Sequence, residues 1–238
     1  MMGATRNIWA VIPVKEVTGA KQRLNGGVPP HLHVPLVRTM LEDVVAAVSQ
    51  ARGLAGFIIA TLDPVAQTLA QRHGGRIFTD DARSGHTGVV AAAARRLAAE
   101  GADAILQLPG DIPLVTATEI DQVITLHQPG PSFTIVPSHD DKGSNTVVVS
   151  PPTAVPLKFG DDSFYPHLKS ARDHGIMPQV VRLPGIARDI DHLEDLIAFA
   201  RLGSATRTQA FLDRHDFIHW GRVRARTCDL VTEADPTR

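Results

Sequence analysis

Two stretches of this 238-residue chain carry carboxylates at spacings suited to metal and phosphate chemistry. In Leu108-Pro109-Gly110-Asp111-Ile112-Pro113 an apolar run ends in a Pro-Gly turn that presents one aspartate. Gly110 permits a backbone conformation or a close ligand approach that a side chain would obstruct. A hard divalent cation such as Mg²⁺ takes oxygen ligands, with one or two carboxylates completed by phosphate oxygens and water, and Asp111 suits that task. An aspartate in such a turn also has an ordinary structural use. In Arg188-Asp189-Ile190-Asp191, alternate residues of an extended chain point the same way, so two carboxylates can converge on one ion. Asp191 followed by Glu194 also fits a helix capping box. Taken alone, the residues favour capping for Asp191 and leave Asp189 open.

Other segments offer groups for anions. Pro13-Val14-Lys15 follows the first apolar run, and Lys21-Gln22-Arg23-Leu24 comes soon after. Beyond the carboxyl ends of α/β strands, where ligands bind, Lys15, Lys21 and Arg23 can neutralise a triphosphate; as a solvated loop they do nothing special. Phe159-Gly160-Asp161-Asp162-Ser163-Phe164 reads as a loop entering a helix, either an anion site on backbone amides or a plain serine cap. Gly143-Ser144-Asn145-Thr146 adds small polar groups at a strand start. The P-loop pattern and a dinucleotide-binding glycine signature after the first strand are missing. The eleven histidines show no metal spacing, His167 reads as a packed or surface residue, and Ser84-Gly85-His86-Thr87-Gly88 lacks the order of a nucleophile elbow.

These segments need elements to hold them. Apolar runs over Ile8–Val14, Gly56–Thr61, Arg76–Thr79, Ala104–Leu108, Phe133–Pro137, Thr146–Val149 and Gln179–Leu183 predict strands. Helical periodicity covers Val34–Gln50, Val65–His73, Val89–Glu100, Thr116–His127 and Leu193–Leu202. The alternation predicts right-handed βαβ crossovers and an α/β fold whose mainly parallel mixed sheet is flanked by helices. Phe133–Val149 predicts an antiparallel edge element within it. Residues 1–203 read as one domain, and 204–238 as an extension, partly helical (Thr206–Arg214) or disordered.

Composition narrows the function classes. A net charge of −1 argues against a nucleic-acid or anionic-membrane binder. One cysteine, Cys228, rules out a disulfide framework and fits a reducing compartment. No signal region or membrane-length apolar run is seen. The expectation is a cytoplasmic protein.

The sequence resembles the guanylyltransferases that activate a small phosphorylated acid for the deazaflavin coenzyme F-420. The resemblance runs from about Ile12 to Leu196. It rests on six motifs in order: Pro13-Val14-Lys15 with Lys21-x-Arg23-Leu24, Met40-Leu41-Glu42-Asp43-Val44, Leu108-Pro109-Gly110-Asp111-Ile112-Pro113-Leu114, Gly143-Ser144-Asn145, Phe159-Gly160-x-x-Ser163 and Asp189-Ile190-Asp191. It implies the fold of nucleotide-diphospho-sugar transferases (GT-A-like) and transfer of GMP from GTP to 2-phospho-L-lactate, phosphoenolpyruvate or 3-phospho-D-glycerate, with release of pyrophosphate. It implies Mg²⁺ on Asp111, Asp189 and Asp191, with Lys15 and Asp111 carrying the catalysis. Pro13, Lys15, Lys21, Arg23, Gly85, Thr87, Pro109 and Gly110 would face the nucleotide, and Ser144, Asn145, Thr146, Gly160 and Ser163 the acid, with Lys15 reaching both. A downstream transferase that joins the activated acid to the deazaflavin is the implied partner, with a homodimer possible. Related proteins often carry Gly-Leu-Asn where this chain has Gly85-His86-Thr87, and threonine where it has Ser144. Rival expectations are a nucleotidyltransferase of the same fold acting on a sugar phosphate or molybdopterin, a metal-dependent glycosyltransferase, and a non-catalytic nucleotide binder.

Overall fold

The computed structural model describes residues 6–15, 24, 27–81 and 84–217. Its elements follow in chain order: β1 Ile8–Pro13, α1 Pro30–Gln50, β2 Gly56–Ala60, α2 Pro64–Arg72, β3 Arg76–Phe78, α3 Gly85–Ala99 and β4 Ala104–Gln107. After them come α4 Ala117–Leu126, β5 Ser132–Pro137, β6 Ser144–Ser150, α5 Phe164–Asp173, β7 Gln179–Val180, α6 Leu193–Ala200 and α7 Arg207–Arg214. Seven strands form one sheet in the order β3-β2-β1-β4-β6-β5-β7.

β1 pairs in parallel with β2 on one side and β4 on the other, β2 pairs in parallel with β3, and β5 with β7. β6 alone runs against its neighbours β4 and β5. It is therefore not an edge element, as expected from the hairpin, but lies inside the sheet with all seven residues buried. Val147 and Val149 face one way and Val148 the other, which explains a run of valines with no polar alternation.

The two faces of the sheet build separate cores. Ile8, Ile12, Phe57, Ile59, Leu106 and Val148 pack under α1, α2 and α4. Val11, Ile58, Ile105, Phe133, Val147 and Val149 pack under α3 and α5. A third cluster joins α1 to α6 and α7 through Leu36, Met40, Ile190, Leu196, Phe199 and Leu212.

Helix boundaries differ from the periodicity in two places that matter. α1 starts at Pro30, whose fixed φ suits the first helical turn and whose missing N–H is no loss there. α3 starts at Gly85 rather than Val89, so the segment expected to be a turn is the first turn of a helix. Gly85 itself has φ 77°, a left-handed conformation that glycine adopts without strain.

Packing does not stop at Gly203. Leu212 and Phe217 join the third cluster. Asp43 of α1, 8% exposed, accepts hydrogen bonds from the Arg207 and Thr208 amides (2.9 and 2.8 Å) and the Thr208 hydroxyl (2.7 Å). A buried carboxylate on one helix thus caps the N-terminus of another, where the helix dipole favours negative charge. The tail expected to be partly disordered, from Arg222, lies outside the described residues.

Candidate active site

The chain moves from β1 to β2 and β3, then crosses back through α3 to lay β4 on the other side of β1. Strand order therefore reverses between β1 and β4, and ligands of open α/β sheets bind in the crevice outside such a switch point. Because β6 runs the opposite way, its start, not its end, comes to the same rim. Lys15 after β1, Pro109–Asp111 after β4, and Ser144 and Asn145 at the start of β6 all line one cleft of about 1080 Å³.

One wall of the cleft is charged. Asp111, Asp189 and Asp191 all line it, with Lys15 on the β1 side. The Ile190 amide donates to the Asp111 carbonyl at 3.0 Å. Ile190 is itself anchored in the third core, so the two flanking aspartates are held beside Asp111 by backbone and packing together. The Asp189 carboxyl is pushed up to about 6, by burial first and then by the negative charges of Asp111 and Asp191; a hydrogen bond from Asn145 Nδ2 (3.1 Å) offsets part of the rise. Capping does not explain Asp191. The Asp195 carboxylate accepts from the amides of Asp191 (3.1 Å) and His192 (2.8 Å) at the start of α6, while the Asp191 side chain lines the cleft.

Ser84, Gly85, His86 and Thr87 bring the N-terminus of α3 to the cleft, where backbone amides and the helix dipole favour anions. Gly110 sits in close packing: a Cβ there would lie 3.0 Å from Leu41 Cδ1, so that side chain would have to give way. His86 stacks on Phe159 with centroids 4.5 Å apart. Its Nε2 meets the Gln107 side-chain amide at 3.1 Å. Burial, then the nearby Lys15 charge, lowers its pKa to about 4 and keeps it neutral.

The opposite wall is rich in hydroxyls that hydrogen-bond to one another, with Asp140, Lys142, Asp161 and Asp162 lining the cleft around them. Ser144 Oγ meets His167 Nδ1 at 2.9 Å, and Ser163 Oγ donates to Ser144 Oγ at 3.1 Å. Ser163 stands at the N-cap of α5, yet its side chain makes no capping bond. The plain cap reading therefore fails for Ser163, whose hydroxyl is turned toward β6 instead. Gly160 lines the cleft beside it. Thr87 Oγ1 accepts from the Phe159 amide at 2.9 Å, which ties the loop of this wall to the start of α3.

Thr146 is not part of the cleft. The register shift between Val136 and Pro137 pairs Thr146 with Val136 and Ser144 with Pro137, leaving Asn145 as the extra residue of a bulge. Ser144 thereby reaches His167 on the α5 side, while Asn145 donates to the Ile186 carbonyl and Asp189 on the other. Thr146, 1% exposed, is shut behind them, and its Oγ1 has no hydrogen-bond partner.

Similarity to known proteins places the chain in a family. A profile of the family described as "Guanylyl transferase CofC like" matches residues 8–221. This chain belongs to that family. It is 34% identical over 190 residues to the phosphoenolpyruvate guanylyltransferase of Rubrobacter xylanophilus, covering 80% of this chain and 92% of the relative. It is 27% identical to the 3-phospho-D-glycerate guanylyltransferase of Colwellia psychrerythraea, covering 82% and 91%. The fold is that of a putative nucleotide-diphospho-sugar transferase from Desulfovibrio desulfuricans, with a TM-score of 0.70 at 15% identity over 90% of this chain and 97% of the other.

As a CofC-like guanylyl transferase, the chain brings Pro13, Lys15, Gly85, Thr87, Pro109, Gly110, Asp111, Ser144, Asn145, Gly160, Ser163, Asp189 and Asp191 to one cleft. Lys21 and Arg23 lie outside the described residues. Among the described residues no three His, Cys, Asp or Glu side chains form a ready metal-holding group. The three aspartates share the cleft without closing into a cage, and burial together with their mutual repulsion raises the pKa of Asp189 to about 6. Such a set of hard oxygen donors fits Mg²⁺, which keeps waters and takes substrate phosphates rather than filling an all-protein cage. The sequence reading missed His86, Phe159, Lys142 and His167. Phe159 and Lys142 stand inside or beside motifs it singled out, whereas His167 shows its use only through contacts distant in sequence. Among the described residues, no helix is long and apolar enough to cross a membrane.

Proposed function

We propose that this guanylyl transferase moves GMP from GTP onto the phosphate of a small phosphorylated carboxylic acid, with pyrophosphate as the leaving group. Phosphoenolpyruvate is the first candidate, since relatives more than 30% identical carry that name; 3-phospho-D-glycerate and 2-phospho-L-lactate share its phosphate and carboxylate. The product is an activated acid for coenzyme F-420 assembly in the cytoplasm, handed to a transferase that joins it to the deazaflavin.

The observation that carries this reading is the division of one cleft into two unlike walls. An acidic wall beside Lys15 and a helix N-terminus suits a metal-bound triphosphate. A wall of hydroxyls with Lys142 beside it suits a compact acid. Asp111, Asp189 and Asp191 would hold Mg²⁺, which when bound supplies charge neutralisation at the triphosphate oxygens. Lys15 and the α3 amides bind and orient the nucleotide phosphates. An oxygen of the acid's phosphate forms a new bond to the α-phosphorus of GTP, and the bond from that phosphorus to pyrophosphate breaks. A phosphate monoester, with a second pKa of about 6, is already largely dianionic at neutral pH and needs no base. This agrees with His86 and His167, both neutral and engaged in hydrogen bonds.

The test pairs each nucleoside triphosphate with a panel of phospho-acids and sugar phosphates in Mg²⁺ and measures pyrophosphate. Release should require GTP together with a phospho-acid. Release with sugar phosphates alone, or no preference for GTP, would overturn the reading. Mg²⁺ added without acid should raise the melting temperature of the wild type and much less that of Asp111→Asn, which checks the metal site without turnover.

A further inference from the structure

We infer that His167 is a positioning residue that makes Ser144 a dedicated hydrogen-bond donor to the carboxylate of the acceptor acid. The inference rests on the acid-binding reading of this wall and deepens it.

The argument is an accounting of hydrogens. His167 is 1% exposed on α5, against the rings of Phe133 and Phe159. Its Nε2 accepts from the Lys158 backbone amide at 2.9 Å. A backbone N–H can only donate, so Nε2 must carry the lone pair, and the ring hydrogen is on Nδ1. Nδ1–H then has one partner, Ser144 Oγ at 2.9 Å, and must donate to it. Ser144 Oγ also receives the Ser163 hydroxyl at 3.1 Å. A serine oxygen has two accepting lone pairs and one hydrogen. Both lone pairs are taken, so the remaining hydrogen is sent outward into the cleft that Ser144 lines. If the bond between the two serines reverses, the outgoing hydrogen moves to Ser163, which lines the same cleft. In either arrangement the pair delivers one donor hydrogen; with Ser163 donating to Ser144, Ser144 retains no lone pair for a ligand.

A wall of this kind prefers a ligand group that only accepts. The acceptor acid has two: its phosphate, which must face the α-phosphorus, and its carboxylate, which is left for the donor. The imidazole suits the task because it stays neutral: burial lowers its pKa to about 4, so its Nδ1–H and Nε2 roles do not change across the working pH range. The Lys158 amide that fixes the ring comes from the loop whose next residue, Phe159, donates to Thr87. The donor is thus built into a braced wall before any ligand arrives.

The test compares His167→Leu, His167→Asn, Ser144→Ala and the double variant His167→Leu/Ser144→Ala, with KM for phosphoenolpyruvate, KM for GTP, kcat and melting temperature measured on each. Loss of a hydrogen bond to a charged group predicts a rise of roughly ten- to a hundredfold in the KM of the acid for Ser144→Ala and His167→Leu, with the KM for GTP within about twofold of wild type. His167→Asn, whose side-chain amide can replace the Nδ1–H donor, should recover most of the loss. In the double variant His167→Leu should add nothing beyond Ser144→Ala. Additive losses, an equal rise in the KM for GTP, or failure of Asn to recover acid binding in a folded protein would overturn the inference. Should His167→Leu not fold, Ser144→Ala and His167→Asn decide it: an unchanged acid KM in the first, or a lost one in the second, overturns it. Failure of the underlying reading looks different, since the wild type itself would then release no pyrophosphate in response to any phospho-acid.

Discussion

The two walls of the cleft are built on opposite principles. On the charged wall, Asp111, Asp189 and Asp191 are held together by a backbone hydrogen bond and an apolar anchor at Ile190, at a cost in burial first and charge repulsion second that shows in the raised Asp189 pKa. On the hydroxyl wall, Ser144, Ser163 and His167 bond to one another and leave one hydroxyl hydrogen directed into the cleft. On the proposed reading the first wall would gain free energy from a cation, whereas the second contributes to folding whether or not an acid is bound. Residues of the first should therefore be costly to catalysis and cheap to stability. Residues of the second should matter to both.

The sharpest way to break that comparison is Asp111→Asn. Pyrophosphate release should fall roughly a thousandfold, the scale seen when a charge-stabilising group is removed from an active site. The melting temperature in metal-free buffer should hold or rise, because one of the repelling charges on Asp189 is gone. A variant that unfolds instead would show that the charged wall is structural after all.

Acid should act on the buried histidines, among which His167 stands behind the hydroxyl wall. His86, His127 and His167 each have a pKa lowered from about 6.5 to about 4 by burial, so protonation opposes the folded state. Their contribution is intact above the unfolded value and is lost as pH falls from about 6.5 toward 4. For His127, bonded through both ring nitrogens to Thr134, Ser132 and Ser150, the loss is on the order of 2–3 kcal/mol. Denaturant midpoints measured from pH 7 to pH 4 should fall across that window; a flat profile would contradict the burial argument.

The smallest effect sharpens the charged wall's dependence on what lies behind it. Asp43→Ala removes the carboxylate that caps α7 alongside Thr206 and should cost about 2 kcal/mol in urea unfolding. Because α7 shares a core with Ile190, the KM for GTP should rise while the KM for the acid changes little.

Much of the charged wall was legible in the sequence, since Lys15, Asp111 and the Asp189/Asp191 pair follow apolar runs that had to be strands or their extensions. The parallel half of the sheet was legible for the same reason: its strands read as continuous apolar segments between helical periods. The place of β6 was not, because a hairpin pattern fixes the relative direction of two strands and not which third strand they join. α3 hid its first turn behind Gly85 and Gly88, which read as breakers although a left-handed Gly85 is how the chain enters the helix. His167 resembled any packed histidine, since its partners lie on β6 and in the loop before α5. Thr146 looked like part of a polar cluster until the bulge turned it inward. Local pattern carries the elements and the charges; a residue whose meaning lies in three distant contacts cannot be read that way.

The hydrogen bond from Ile190 to the Asp111 carbonyl also sets an order of assembly. Strands β1 to β6 are synthesised before Asp189 and Asp191, and the cluster around Ile190, begun by Leu36 and Met40 of α1, is completed only when α6 and α7 have followed. A nascent chain can therefore form most of its sheet without bringing the three carboxylates together, and their repulsion enters only at the final docking step.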